Sequence, residues 1–157
     1  MLQEGLTDFL KYIKDIGLPV KLDTNGYMPS KLAGIINQGL VEYIAMDIKA
    51  PIDKKKYALA CGLKNIDIEA IKESINIVSG SGLDYEFRTT VVPGIINKRS
   101  VASIARYLKG ADKFVLQNFK SGVTLDENYN SIKEYEAWEM REMEKEAEVY
   151  IEKVELR

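Results

Sequence analysis

Polar and charged side chains occur where several apolar segments end, and their types could bind a ligand. One segment reads LDTNG at residues 22–26, and Asn25-Gly26 alone would suffice for a turn, so Asp23 and Thr24 need another explanation. The full set is Asp23, Thr24 and Asn25 after the first segment, Asp47 and Lys49 after the second, Arg88, Thr89 and Thr90 in the third, and Gln117 and Asn118 in the fourth. If these segments are parallel strands, their carboxyl ends share one rim, where α/β proteins bind ligands.

The side-chain chemistry at this rim predicts a zwitterionic ligand. Lys49 and Arg88 can hold a carboxylate or a phosphate. Asp23 and Asp47 can accept hydrogen bonds from an ammonium group or from ribose hydroxyls, or surround a small cation together with Thr24. S-adenosylmethionine fits both the basic and the acidic side chains of this set, because it carries a carboxylate as well as an ammonium group and ribose hydroxyls. A nucleoside triphosphate fits less well, because the sequence contains no glycine-rich phosphate loop.

Each of these residues also has a local explanation. The alternatives are a turn capped by Asp23, an internal ion pair between Asp47 and Lys49, a pair between Arg88 and Glu86 on one strand face, and a loop that begins at Gln117 and Asn118. Their joint placement at predicted strand ends favours the ligand site over four separate explanations.

Helical and extended patterns alternate along the chain and predict the elements that position the rim. Strands are expected at residues 18–24, 41–49, 83–92, 112–118 and 148–156. Helices are expected over residues 6–16, over 29–39 after Pro29, after Asp67, after Asn97 or Ser100, and from about Ile132 to Ala147, whereas residues 50–65 are interpreted as an irregular basic insertion. Strands separated by helices predict an α/β fold with a parallel sheet in one domain, residues 1–157.

Composition narrows the classes of function. The chain has 157 residues and a net charge of −2, which disfavours a nucleic-acid partner, and its apolar runs are too short for a membrane span. A cytoplasmic location is the expectation. The sequence has no histidine and one cysteine, Cys61, which excludes histidine-based triads and cysteine-only metal sites within this chain.

Three motifs in order resemble those of a known family. LDTNG, AMDIKAP and FRTTVVPG are similar to the middle and C-terminal parts of radical S-adenosylmethionine enzymes. The nearest resemblance is to the activating enzymes of glycyl-radical enzymes in anaerobic metabolism, those for pyruvate formate-lyase and anaerobic ribonucleoside-triphosphate reductase. It is strongest over residues 1 to about 120 and looser beyond.

The resemblance implies a fold and roles for the rim residues. It implies a partial parallel (β/α) barrel, S-adenosylmethionine as cofactor, a [4Fe–4S] cluster in the full-length family, and a glycyl-radical enzyme as protein partner. It implies that Asp23, Thr24 and Asp47 line the cofactor and a monovalent-cation site, that Lys49 contacts the cofactor, and that Thr90 lies near its adenine. Asn25, Arg88 and Gln117 complete the expected cofactor-binding set, and Phe119 stands where some relatives have a histidine.

The sequence also departs from the family. The cluster motif CxxxCxxC and the cofactor-binding GGEP segment are absent, and one cysteine cannot replace three thiolates. The expectation is therefore a barrel missing its first two strands, the C-terminal two-thirds of an oxidoreductase that is inactive alone and needs the missing N-terminal segment. The alternative is a non-enzymatic module on a barrel remnant that binds a ligand or a protein; coding sequence directly upstream of Met1 distinguishes the two.

Overall fold

The computed structural model describes residues 4–122, 124 and 126–157, in which one or two helices separate each strand from the next. In chain order the elements are α1 (Leu6–Asp15), β1 (Lys21–Thr24), α2 (Pro29–Asn37), β2 (Tyr43–Asp47), α3 (Lys54–Ala60), α4 (Ile68–Ser79), β3 (Asp84–Val91), α5 (Lys98–Tyr107), β4 (Phe114–Asn118), a short 3₁₀ helix (Glu127–Tyr129), α6 (Ala137–Glu148) and β5 (Val154–Leu156). None of the helices in the described part of the chain has the length and apolar character needed to span a membrane.

The strands form one five-stranded parallel sheet in the order β1-β2-β3-β4-β5. Each strand therefore pairs with the next one along the chain, and the order does not reverse within the described strands. The helices α4 and α6 pack on the sheet, α4 against β2 and α6 against β4 and β5. The predicted α/β class with a parallel sheet is confirmed.

The two faces of the sheet differ in chemistry. On one face, Ile44, Met46, Phe87, Phe114 and Leu116 are fully buried and form the centre of the apolar core. We call the other face the charged face; from the strand register and the alternation of side chains it carries Lys21, Asp23, Tyr43, Asp47, Glu86, Arg88, Gln117, Glu155 and Arg157. Parallel sheets are commonly apolar on both faces, so a charged face indicates a specific use.

The helix caps follow local sequence signals. The Asp67 carboxylate accepts hydrogen bonds from the backbone N–H groups of Glu69 and Ala70, as predicted. Of the two candidates for the cap of α5, Asn97 is the one that the structure uses, since its side chain accepts from the Ser100 N–H.

Three segments differ from the sequence expectations. The basic insertion contains the helix α3, which Asp53 caps by accepting from the N–H groups of Lys55 and Lys56. The acidic helix α6 begins at Ala137 rather than near Ile132, because Glu136 and Glu139 form a capping box there. The last strand, β5, covers only Val154–Leu156 of the expected segment.

Candidate functional site

Four predicted site residues meet at the carboxyl ends of β1 and β2; one of them is Arg88, which lies three residues before the end of β3. Arg88 Nη1 donates to Asp23 Oδ2 at 2.9 Å, and Arg88 Nε donates to Asp47 Oδ1 at 3.0 Å. Lys49 Nζ donates to the other oxygen of Asp47, Oδ2, at 3.0 Å. We call these four residues the carboxyl-end cluster.

The strand register explains the pairing of Arg88. Asp47 and Arg88 are direct cross-strand partners, so their side chains point to the same face. The alternative pair between Arg88 and Glu86 is not the one observed, because both Arg88 contacts go to aspartates of neighbouring strands. The internal pair between Asp47 and Lys49 is present, but as one part of the larger cluster.

The carboxyl-end cluster is open to solvent on its outer side. The exposed fraction of the side chain is 12% for Arg88 and 27% for Asp47, and it rises to 40% for Lys49 and 58% for Asp23. Burial acts to lower the pKa of Arg88, but the hydrogen bond to Asp23 and the charge of Asp47 raise it overall, which keeps the guanidinium charged. Each carboxylate oxygen can accept more than one hydrogen bond, so the cluster retains capacity for a polar ligand.

Thr24 and Asn25 hold the turn and are not part of the cluster. Thr24 is 5% exposed and faces the apolar side of the sheet, where its Oγ1 accepts from the Gly26 N–H at 3.1 Å. Asn25 Oδ1 accepts from the Tyr27 N–H at 3.1 Å. The turn therefore does not use the Asp23 carboxylate as its cap.

The remaining predicted residues lie farther along the same face. Thr90 and Gln117 are cross-strand partners and share the face of Arg88; Thr90 is exposed and Gln117 is half-buried. No group of three or more histidine, cysteine or acidic side chains is placed to hold a metal ion in the described residues. The cofactor and cation roles of all these residues stay predictions.

Three buried hydroxyl groups fix the backbone next to the cluster. Sequence reasoning missed those of Ser74 and Tyr57, and it placed Thr89 at the rim, whereas Thr89 is 1% exposed and lies on the apolar face of the sheet. Ser74 Oγ on α4 donates to the Gly26 carbonyl at 2.6 Å. Thr89 Oγ1 donates to the Ile48 carbonyl at 2.8 Å, and the Tyr57 hydroxyl accepts from the Lys49 N–H at 3.2 Å. The loops that follow β1 and β2 are thus held by neighbouring elements.

Of these three residues, Ser74 is the one whose hydrogen bond the sequence pattern could have predicted. It is fully buried and stands three and four residues from Ile71 and Val78, on the apolar face of α4. A polar residue on an apolar helix face calls for a hydrogen-bond partner. Which backbone carbonyl serves as that partner depends on the packing of α4 against the loop after β1.

A pocket of about 330 Å³ adjoins the carboxyl-end cluster. Its polar wall includes Asn25 and Lys49, and its apolar wall includes Leu63 and Ile66. Cys61 also lines it, and burial raises the pKa of its thiol, which keeps the sulfur neutral at ordinary pH. Lys49 therefore belongs both to the cluster and to the pocket.

A second set of charges, the amino-end cluster, surrounds Glu86 near the other end of the charged face. Glu86 is 1% exposed and accepts from Arg157 Nη1 and Nη2 at 3.0 and 2.9 Å and from the Tyr43 hydroxyl at 3.1 Å. Lys21 and Lys113 lie 3.5 and 3.3 Å from its oxygens. Burial acts to raise the pKa of Glu86, but the hydrogen bonds from Arg157 and Tyr43 outweigh it and lower the pKa to about 2.

Two proteins of Methanocaldococcus jannaschii are similar to this chain in sequence. One, named "Putative glycyl-radical enzyme activating enzyme MJ1227", is 30% identical over 156 residues, which cover 99% of this chain and 65% of that protein. The other, named "Putative glycyl-radical enzyme activating enzyme MJ1632", is 28% identical over 112 residues, covering 71% of this chain and 42% of that protein. No protein-family model matches the chain.

The chain therefore spans less than two-thirds of the length of either relative. Both relatives carry the name of the group that the three sequence motifs resemble, so the resemblance to activating enzymes is confirmed, for the first relative over nearly the whole chain.

Proposed function

Because the chain is homologous to proteins named as glycyl-radical enzyme activating enzymes, we propose that it supplies the cofactor-binding rim of such an enzyme. In this proposal the rim binds S-adenosylmethionine and orients it toward a glycyl-radical enzyme, the protein partner. The carboxyl-end cluster is the observation that carries the proposal, since it unites the three motifs in one open site.

We propose further that the sheet is part of a parallel (β/α) barrel. A doubly wound sheet reverses its strand order and carries apolar residues on both faces. Here the order follows the chain, and one face is charged. In a barrel that face would line the interior, where inward-pointing residues of successive strands meet.

The donor set of the rim fits S-adenosylmethionine. Lys49 would hold the carboxylate of the cofactor, and Asp23 and Asp47 would accept hydrogen bonds from its ammonium group or ribose hydroxyls. Thr90, Asn25 and Gln117 would extend the polar surface along the rim. When bound beside a reduced cluster, the cofactor supplies one-electron chemistry, and the residues of this chain bind and orient it without acting as acid or base.

The residues of this chain do not fit the [4Fe–4S] cluster of the family. Such a cluster is held by several cysteine thiolates, whereas the sequence contains one cysteine, whose thiol is half-buried and neutral. We therefore propose that this chain alone does not cleave the cofactor.

Binding of the cofactor by the isolated chain tests the proposal. Without contacts to the cluster, we expect S-adenosylmethionine to bind with a Kd on the order of millimolar, which corresponds to a binding free energy of about −4 kcal/mol. A titration followed by amide NMR shifts should move the signals of Asp47, Lys49 and Arg88, and Lys49→Met should weaken binding at least about fivefold, since it removes a charge-assisted contact.

The matched control is Lys109→Met, an exposed lysine that follows α5 at the far end of the sheet. Its affinity for S-adenosylmethionine should equal that of the unmodified chain. Shifts confined to residues outside the rim would contradict the proposal, and micromolar affinity would favour a binding module over part of an activating enzyme.

A further inference from the structure

The segment around α3 concentrates positive charge beside the rim. Residues 49–64 contain five lysines and a single acidic residue, Asp53, although the whole chain has a net charge of −2. Asp53 is occupied as the cap of α3, with its Oδ1 accepting from two backbone N–H groups. Lys49 binds Asp47, and the other four lysines have no further acidic residue within the segment.

The lysines of α3 and the loop after it form no ion pairs within the described residues. This holds for Lys54, Lys55, Lys56 and Lys64, all of them exposed. Elsewhere lysines commonly have acidic partners, such as Lys14 with Glu42 and Lys72 with Glu69. An unpaired group of four like charges is available to an external acidic partner.

These charges also oppose the local stability of the helix. Lys54, Lys55 and Lys56 occupy the first turn of α3, where the helix dipole favours acidic side chains. Asp53 offsets this unfavourable interaction between the lysines and the helix dipole only through its capping hydrogen bonds. A placement that works against local helix stability is expected at functional surfaces.

Apolar side chains lie among these lysines. Leu59 is 72% exposed and Leu63 is 50% exposed. A pocket of about 380 Å³ lies beside Asn65, and six further residues of this segment line it: the apolar Ala58, Leu59 and Leu63, and the basic Lys54, Lys55 and Lys64. We call these six residues the α3 surface.

The α3 surface leads to the proposed cofactor rim. Leu63 lines both its 380 Å³ pocket and the 330 Å³ pocket that contains Lys49. Lys49 in turn binds Asp47 in the carboxyl-end cluster. A chain segment seated on the α3 surface would therefore lie next to the site.

We propose that the α3 surface docks an acidic segment of the partner protein, with one aliphatic or aromatic side chain in the 380 Å³ pocket. The identity of the partner as a glycyl-radical enzyme rests on the function proposed above; the chemistry of the docking segment rests on the α3 surface itself. Opposite charges around an apolar anchor provide both orientation and contact area.

Peptide binding tests the docking chemistry directly. The probe is a fluorescein-labelled peptide of glutamates with two central leucines, compared with peptides in which lysine replaces glutamate or glycine replaces leucine. Anisotropy titrations should show the acidic, leucine-containing peptide binding at least about tenfold more tightly than either counterpart, and binding should weaken as salt rises.

The charge-reversal variant K54E/K55E and the control K11E/K109E change the net charge by the same amount. Lys11 and Lys109 are exposed and lie outside the α3 surface. K54E/K55E should lose about tenfold or more in peptide affinity while keeping the circular dichroism of the unmodified chain, and K11E/K109E should lose less than about twofold.

Leu63→Ser separates docking from unspecific charge attraction, since it removes the anchor contact and leaves every lysine in place. Equal losses in the two double variants, or no loss in Leu63→Ser, would overturn the proposal. Tighter binding of anionic lipid vesicles or of RNA than of the peptide would overturn it as well. S-adenosylmethionine binding is measured separately, so failure of docking leaves the rim proposal standing.

Discussion

The charged face carries two clusters in which carboxylates pair with lysine and arginine side chains, and the clusters differ in how many of the hydrogen-bonding positions of their carboxylates are occupied. In the amino-end cluster, Glu86 is 1% exposed and accepts hydrogen bonds from Tyr43 on β2 and from Arg157, which follows β5. In the carboxyl-end cluster, the Asp23 side chain is 58% exposed and contacts one guanidinium nitrogen. The first cluster is closed around its carboxylate, whereas the second can still accept a ligand.

This difference separates a structural role for the amino-end cluster from the binding role that we propose for the carboxyl-end cluster. Arg157 directly follows β5, and its bond to Glu86 joins this end of the sheet to β3, which is not a neighbour of β5. In the carboxyl-end cluster, Arg88 joins β3 to β2 and β1 while leaving carboxylate oxygens facing solvent. Ion pairs alone therefore do not identify a site; their exposure and remaining hydrogen-bonding capacity do.

Removal of the buried carboxylate should give the largest effect. Glu86→Ala removes the buried carboxylate that Arg157 and Lys113 both contact and leaves them only the more exposed Glu155, so we expect a loss of about 3 kcal/mol in the free energy of unfolding. Urea denaturation at neutral pH measures it. Glu69→Ala, at an exposed pair with Lys72, is the control and should cost less than about 0.5 kcal/mol. Equal losses would mean that the carboxylates of Glu86 and Glu69 contribute equally to the free energy of unfolding.

Acid should reproduce part of this effect without a mutation. Folding lowers the pKa of Glu86 from 4.5 to about 2, so its stabilisation is fully present above pH 4.5 and is lost as the pH falls toward 2. We expect a contribution on the order of 2 kcal/mol after allowance for solvent screening. The difference in unfolding free energy between the unmodified chain and Glu86→Gln should shrink over this range. A difference in unfolding free energy that is independent of pH would contradict the assignment of this stabilisation to the lowered pKa of Glu86.

Loss of a backbone anchor should have a smaller effect, located at the open cluster. Ser74→Ala removes the bond to the Gly26 carbonyl and should cost about 1 to 2 kcal/mol. Amide hydrogen exchange at Asn25 and Tyr27 should become faster, because the turn loses its support. Ser79→Ala, at an exposed position of the same helix, should change neither quantity. Unchanged amide hydrogen exchange in Ser74→Ala would show that the turn is stable without the hydrogen bond from Ser74.

The smallest effect on stability is expected at the most exposed carboxylate. Asp23→Asn should change the free energy of unfolding by less than about 0.5 kcal/mol, since its pair with Arg88 is exposed on the Asp23 side. The same variant should weaken binding of S-adenosylmethionine, because Asp23 is proposed to accept hydrogen bonds from the cofactor. A large loss of stability would make Asp23 a structural residue like Glu86.

The order of elements and the convergence of the cluster were predictable because they follow from local patterns. Apolar runs separated by helices predict parallel strands, and parallel strands bring Asp47 and Arg88 to one rim. Helix α3 was missed because its seven residues begin with three lysines and are too short for an apolar periodicity to be recognised. Its signal was the capping residue Asp53.

The amino-end cluster was not predictable from the same patterns. Glu86 pairs with Lys113 and Arg157, which are distant in the chain, and their meeting depends on strand register and on the position of β5. The face of Thr24 illustrates the same limit on a smaller scale. Strand alternation separates it from Asp23, so residues adjacent in a motif need not share a site.

The turn after β1 has a consequence for how the protein can vary over generations. Gly26 has a φ of 73°, and a Cβ atom there would overlap the methyl group of Met46. A shorter side chain at position 46 would relieve the overlap but not the backbone strain, so a change at position 46 does not by itself compensate for a side chain at position 26. Lineages of this protein should therefore inherit the glycine of LDTNG unchanged, while residues of the surrounding surface are substituted.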